Sequence, residues 1–221
     1  MASIDLSQFP APDVVETLDY ESILAERKAV LISLFPEDQQ EAVARTLALE
    51  SDPLVKYLEE NAFRELLWRQ RLNEAALAVT LAYSEGSDLD VMATNNDTER
   101  LTITPGDDTT IPPTPPVMES DADLRLRAQQ AFEGLNVAGP VGAYEYHGRS
   151  ADGRVADISV DSPTPACVTI SVLSREGDGS ASDDLLAAVE KALNAEDVRP
   201  VGDRATVQSA AIVSYQTDAT L

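Results

Sequence analysis

Residues 53–83, PLVKYLEENAFRELLWRQRLNEAALAVTLAY, constrain this chain more than any other stretch. Asp52 precedes the run and Pro53 opens it, the residue types favoured at an N-cap and at the first helical position. Apolar residues recur at Leu54, Leu58, Ala62 and Leu66, then at Leu72, Ala76 and Val79. That spacing predicts a helix of roughly 30 residues, about 45 Å long. A helix of that length outruns a compact domain of this size and packs against something else. Two shorter helices precede it. Asp19 is placed to cap DYESILAERKAVLISLF, whose apolar face is Ile23, Leu24, Leu31, Leu34 and Phe35. Pro36 opens PEDQQEAVARTLALE, with Glu37, Asp38 and Glu41 in the first turn, where the helix dipole favours anions. The short connections predict helical hairpins. Residues 1–18 begin extended because Pro10 and Pro12 block helix. They form either an arm along a neighbouring chain or a disordered end.

After Gly86 the texture changes. Residues 86–124 hold nine acidic residues against a single basic one, Arg100. Within them LTITPGDDTTIPPTPP carries Pro112, Pro113, Pro115 and Pro116, which predicts an extended, stiff connector. Helix returns after Ser120 in SDADLRLRAQQAFEGL, with Ser120 and Asp123 resembling a capping box. A short helix follows with Pro140 at its first position. From Arg154 the period becomes two: RVADISVDSP and ACVTISVLSR read as strands, with a turn at Glu176–Gly179. SDDLLAAVEKALN reads as a helix capped by Ser182, with Leu185, Leu186, Val189 and Leu193 inward. ATVQSAAIVSYQTDATL returns to strand alternation, with Val207, Ala211, Val213 and Tyr215 as candidates for burial.

The expected fold class is α+β. An extended arm at 1–18 leads into a helical hairpin or bundle at 19–85 with one long helix. An acidic Pro-rich connector at 86–119 and a helical segment at 120–152 follow. Last comes a small β-β-α-β domain at 153–221. Alternation still runs at Leu221, which suggests a chain cut short relative to a longer parent, the alternative being a short edge strand at a natural terminus.

Charge narrows the partners. The chain holds 39 acidic and 16 basic residues, a formal net charge of −23. Such a chain repels phosphate backbones and anionic membranes, so neither nucleic acid nor membrane is an expected partner. No run of about 18 apolar residues is present to span a bilayer, and the amino terminus lacks a secretory signal pattern.

Catalytic chemistry finds little purchase. The single histidine, His147, has Ser150 and Asp152 nearby in sequence, but no nucleophile-elbow pattern surrounds Ser150. A surface or packing histidine near a helix end is the favoured reading. One histidine and the single cysteine, Cys167, cannot make a zinc site, and Cys167 in ACVTISV reads as a small buried core residue. Neither a calcium loop nor a phosphate-binding glycine loop is present. The expected set of catalytic, cofactor-binding and metal residues is therefore empty. The one locally basic, aromatic-bearing segment lies on the long helix: Phe63 and Trp68 among Arg64, Arg69 and Arg71. It reads first as helix-packing core and second as a partner hot spot, where Trp and Arg are enriched.

Several longer runs carry a resemblance. Residues 4–76, the DLD at Asp88–Asp90 and the stretch from Arg100 to Leu135 are similar to the amino-terminal part of the baseplate J-like family of temperate contractile-tailed phages. The likeness continues with Glu119, Ser120, Asp121, Arg125 and Arg127, then Tyr144, His147, Ser150, Ala151, Val155, Asp157 and Val160. This resemblance implies a non-enzymatic subunit of the baseplate wedge. It implies partners too: other copies of the chain, a smaller wedge protein, and hub- or spike-associated and sheath-proximal tail proteins. It further implies a ring around the tube that reorganises on sheath contraction, and a place in the virion tail after assembly in the host cytoplasm. Two other readings stand beside it: an acidic assembly adaptor absent from the particle, and a hydrolase centred on His147.

Overall fold

The structure, a computed structural model, describes residues 4–135 and 139–214. The chain divides into two compact units, Ser7–Ser84 and Glu85–Leu221, the latter taking in Met1–Leu6. The fold is α+β, with helices at the N-terminal side and a small sheet toward the C-terminal side.

The first unit is helical: α1 (Tyr20–Ser33), α2 (Glu37–Leu47) and α3 (Pro53–Ala78). The Asp19 carboxylate accepts the Ser22 N–H at 2.9 Å and caps α1. That of Asp52 accepts the Leu54 N–H at 2.8 Å and caps α3. Pro36 occupies the N-cap position of α2. The long helix runs 26 residues, about 39 Å, and stops at Ala78 short of the expected Tyr83. Both the backbone N–H and the hydroxyl of Thr80 take the Leu77 carbonyl, which tightens the last turn and ends the helix.

Its core is small: Ile23, Leu24, Leu47, Val55, Leu58 and Ala62, flanked by Leu31, Ile32, Val43 and Leu66. Three residues of the expected apolar face of α3, namely Leu54, Leu72 and Val79, are exposed instead, as is Leu34 at the end of α1. A step of four residues overshoots one turn by about 40°, so a row of fours drifts around the helix. Val55, Leu58 and Ala62 face α1, which at 14 residues, about 21 Å, covers only part of α3. Farther along, the chain's own N-terminal segment covers one side. Asn73 exchanges hydrogen bonds of 3.0 and 2.8 Å with the Glu16 backbone, and the Tyr83 hydroxyl donates to the Phe9 carbonyl. Glu16 thus lies against α3 and Phe9 against the turn that follows it, within the same chain.

In the second unit, α4 (Gly86–Thr94) stands where an extended connector was expected. Leu89 and Ala93, four residues apart, are both fully buried, and this pairing outweighs the acidic composition. Nor is the Pro-rich run a strut. Short strands β1 (Thr102–Thr104) and β2 (Val117–Met118) pair antiparallel, and the run between them folds back as a hairpin loop. Asp107 and Thr114 close it through backbone hydrogen bonds of 2.9 and 3.0 Å. A Cβ at Gly106 would sit 3.0 Å from both Pro116 and the Thr114 carbonyl, so the close approach of the two arms requires glycine there.

Next comes α5 (Asp121–Gln130), capped by the Ser120 hydroxyl, which accepts from the Asp123 N–H at 3.2 Å. A 3-10 turn at Ala131–Leu135 and α6 (Val141–Ser150) follow, with Pro140 as the N-cap residue of α6. The sheet contains β3 (Val155–Thr164), β4 (Cys167–Ser174) and β5 (Arg204–Ser209), with α7 (Asp183–Leu193) between the last two. Central β4 pairs antiparallel with β3 and parallel with β5, the expected β-β-α-β order. Val168, Ile170 and Val172 of β4 face Leu185, Val189 and Leu193 of α7, with Ala143 and Tyr144 of α6 completing the core. Cys167 at the start of β4 is half-buried, not a core residue. The third strand ends at Ser209; Val207 is half-buried, Ala211 and Val213 are exposed, and Tyr215 lies outside the described residues.

A buried ion pair organises this unit. Arg127 and Glu119 form a bidentate contact at 2.8 and 2.7 Å with side chains 5% and 4% exposed. Arg127 also donates to the Glu99 carbonyl and the Ser150 hydroxyl, while Glu119 Oε2 accepts the Leu101 N–H. Beside it Arg100 binds Asp90 and Asp121, each at 2.7 Å, which ties α4 to α5. Removing one member of a buried pair strands the other charge. Arg127→Met is expected to lower unfolding free energy by about 3–5 kcal/mol in urea titrations, and Arg127→Met with Glu119→Leu to recover much of that loss.

A more exposed cluster gives the fold a pH dependence. Arg154 binds Asp152 at 3.0 Å and Asp184 at 2.7 Å. The Ser182 hydroxyl and then Arg154 pull the Asp184 carboxyl down to about 2, and Arg154 holds Asp152 below the usual carboxylate range. Carboxyls with folded values below their unfolded ones stabilise fully above about pH 4 and lose that contribution as pH falls through about 2. Arg154→Met should therefore lower the urea midpoint most at neutral pH, with the difference from the parent chain shrinking toward pH 2.

Candidate assembly surface

The outer side of α3 carries a second apolar line, roughly 100° around the axis from its core-facing line. Leu54, Tyr57, Trp68, Leu72 and Val79 lie on it at helical spacing, all exposed, with Trp68 at 74%. Arg64, Leu67, Trp68 and Arg71 together line a shallow, open groove of about 440 Å³. Arg64 pairs with Glu60, and Arg71 with Glu74 at 3.5 Å, all on the same helix. Exposed pairs of this kind contribute little, so both cations remain available to a docking carboxylate.

Not every residue of the basic aromatic segment joins this groove. Arg69 turns to the inner side, where it binds Glu65 at 2.6 Å and Glu16 at 3.1 Å. Glu65 also accepts Arg27, and the two arginines, Arg69 foremost, hold its carboxyl below the usual range. Phe63 is exposed about 140° around the helix from Trp68. The structure therefore gathers Trp68, Arg64 and Arg71, and it adds Leu67 and Tyr57, which belong to no single buried stripe. The signal for Tyr57 is present in the sequence as a second line through 54, 57, 61, 64, 68, 72, 75 and 79, spaced by threes and fours, whereas Leu67 lies about 100° off it.

Two smaller apolar features lie elsewhere. Val30, Leu31, Leu34 and Leu58 line a groove of about 310 Å³ beside the Arg27–Glu65 pair. Phe132 and Leu135 are exposed on the 3-10 turn after α5. The residues weighed for catalysis have structural surroundings. His147 is half-buried on α6 with its ring edge-on to Tyr146 at 5.5 Å. Ser150 Oγ accepts from Arg127 at 3.3 Å, and Asp152 is clamped by Arg154. Among the described residues, no group of three or more His, Cys, Asp or Glu could hold a metal ion, and no helix is long and apolar enough to cross a membrane.

Trp68→Ala removes an exposed ring and should change folding stability by no more than about 0.5 kcal/mol. Leu58→Ala, on the core-facing line of the same helix, should cost about 2–5 kcal/mol. Urea unfolding of the two variants separates the outer face from the core.

The Baseplate J-like N-terminal domain matches residues 50–107, a range that contains all of α3, and the Baseplate J-like central domain matches residues 136–209. Baseplate protein J of Escherichia phage P2 is 77% identical over 221 residues, which is 100% of this chain and 73% of the phage protein.

Proposed function

Since the chain belongs to the baseplate J-like family, we propose that it joins neighbouring baseplate wedges into a ring and takes part in the response to sheath contraction. At the coarser level it is a structural component of the phage tail baseplate, within the virion. The exposed line on α3 carries the finer reading. A small helical unit whose longest helix shows apolar residues on two sides has one side left over for partners. Covering an exposed Leu, Val or aromatic side chain is worth about 1.5–3 kcal/mol gross, before ordering costs.

In this reading α3 bundles with helices of a second copy and of a smaller wedge protein, while the sheet-containing unit contributes to ring closure. Hub-, spike- and sheath-proximal tail proteins are the further partners, and assembly takes place in the host cytoplasm before the chain enters the particle. The chain carries no catalytic step of its own, and Ser150 and Asp152 are taken up by internal contacts with Arg127 and Arg154. Mass spectrometry of purified tails tests the reading. The parent chain is expected in finished particles at fixed stoichiometry, and Trp68→Glu should leave tails that lack it. Absence of the parent chain from finished tails would make it an assembly adaptor instead.

A further inference from the structure

The hairpin loop 105–116 has an unusual tip. Ile111 is 99% exposed, followed by Pro112 and Pro113, with Asp107 and Asp108 on the shoulder. This tip is ordered before any partner arrives. The Asp107 carboxylate accepts the Thr109 N–H at 2.8 Å, and the Thr110 hydroxyl contacts the carbonyls of Asp107 and Pro112 at 3.0 Å each. A loop already held in one shape loses little conformational entropy on binding. An apolar side chain displayed at its end is a natural anchor.

We propose that this loop of one copy docks on the Trp68 groove of a second copy, a contact that deepens the ring-joining role and rests on it. Chemistry matches on both sides. Trp68 and Leu67 offer exposed apolar surface against which Ile111 and Pro112 can be covered. Arg64 and Arg71, which line the same groove, meet the carboxylates of Asp107 and Asp108, a charge-assisted contact. In a chain of net charge −23, this is a surface that offers an acidic loop two exposed cations beside an exposed aromatic ring. Loop and groove belong to different units of the chain, so the contact joins unlike surfaces. Repeated from copy to copy, such a heterologous contact generates a ring when the rotation closes.

Sedimentation velocity on the whole chain tests the proposal with Trp68→Ala and Ile111→Asp, both at exposed positions and each checked for unchanged circular dichroism. The parent chain should self-associate with rising concentration, and each variant alone should stay monomeric. An equimolar mixture of the two still holds one intact groove and one intact loop, so it should give dimers and nothing larger. Arg71→Glu should weaken association about tenfold, and adding Asp108→Arg should restore it. A parent chain that stays monomeric at every soluble concentration overturns the proposal. So does association that ignores Ile111→Asp, which would leave the groove to a helix of another tail protein. The same variants separate this contact from the broader role. Normal incorporation of Ile111→Asp into tails refutes the loop contact alone, normal incorporation of Trp68→Ala counts against the α3 face as well, and a parent chain absent from tails refutes the structural role itself.

Discussion

One mismatch governs the helical unit: α3 is about 39 Å long, and the elements folded around it cover only one side. The shorter α1 reaches part of its length, and Glu16 holds a further stretch through Asn73. Tyr57, Trp68, Leu72 and Val79 remain in solvent. Scattered exposed apolar residues are common, but several of them at helical spacing along one side of a helix mark a surface suited to a partner. The inner face is fixed by packing and by the Arg27–Glu65–Arg69 ion pairs, so the outer face is presented in a defined orientation.

The second unit meets its constraint with charge. Arg127 is almost fully buried, and Glu119, the Glu99 carbonyl and Ser150 satisfy it. Those contacts join the base of the hairpin to α5 and α6, while Arg100 adds α4 through Asp90. A hairpin anchored this firmly at its base can carry an ordered loop with an exposed tip. The arginines are few in this acidic chain, and several of the most buried ones are spent on internal order. That leaves Arg64 and Arg71 on α3 prominent among the outward-facing cations.

Much of this was legible in the sequence, for identifiable reasons. Caps at Asp19, Asp52 and Ser120 were readable because one side chain decides each of them. The β-β-α-β order was readable because hydrophobic period changes from two to helical and back. The segment 86–119 departs from the expected connector because burial of Leu89 and Ala93 outweighs the acidic residues and prolines, and because a hairpin depends on a distant partner strand. Which apolar residues of α3 face inward was also beyond a single-stripe reading: Val55 took the place given to Leu54, since the direction of α1 sets the buried line. Arg127 and Glu119 are eight residues apart and show no sequence signature of pairing; only the fold brings them together.

The central claim is that the outer face of α3 is an assembly surface. Trp68 is the chain's one tryptophan, so its own chemistry reports on that face. Hydroxyl-radical footprinting, read by mass spectrometry on the peptide containing Trp68, compares the isolated chain with intact tails. The account predicts heavy oxidation of Trp68 in the isolated chain and strong protection in the tail. Equal oxidation in both would contradict it.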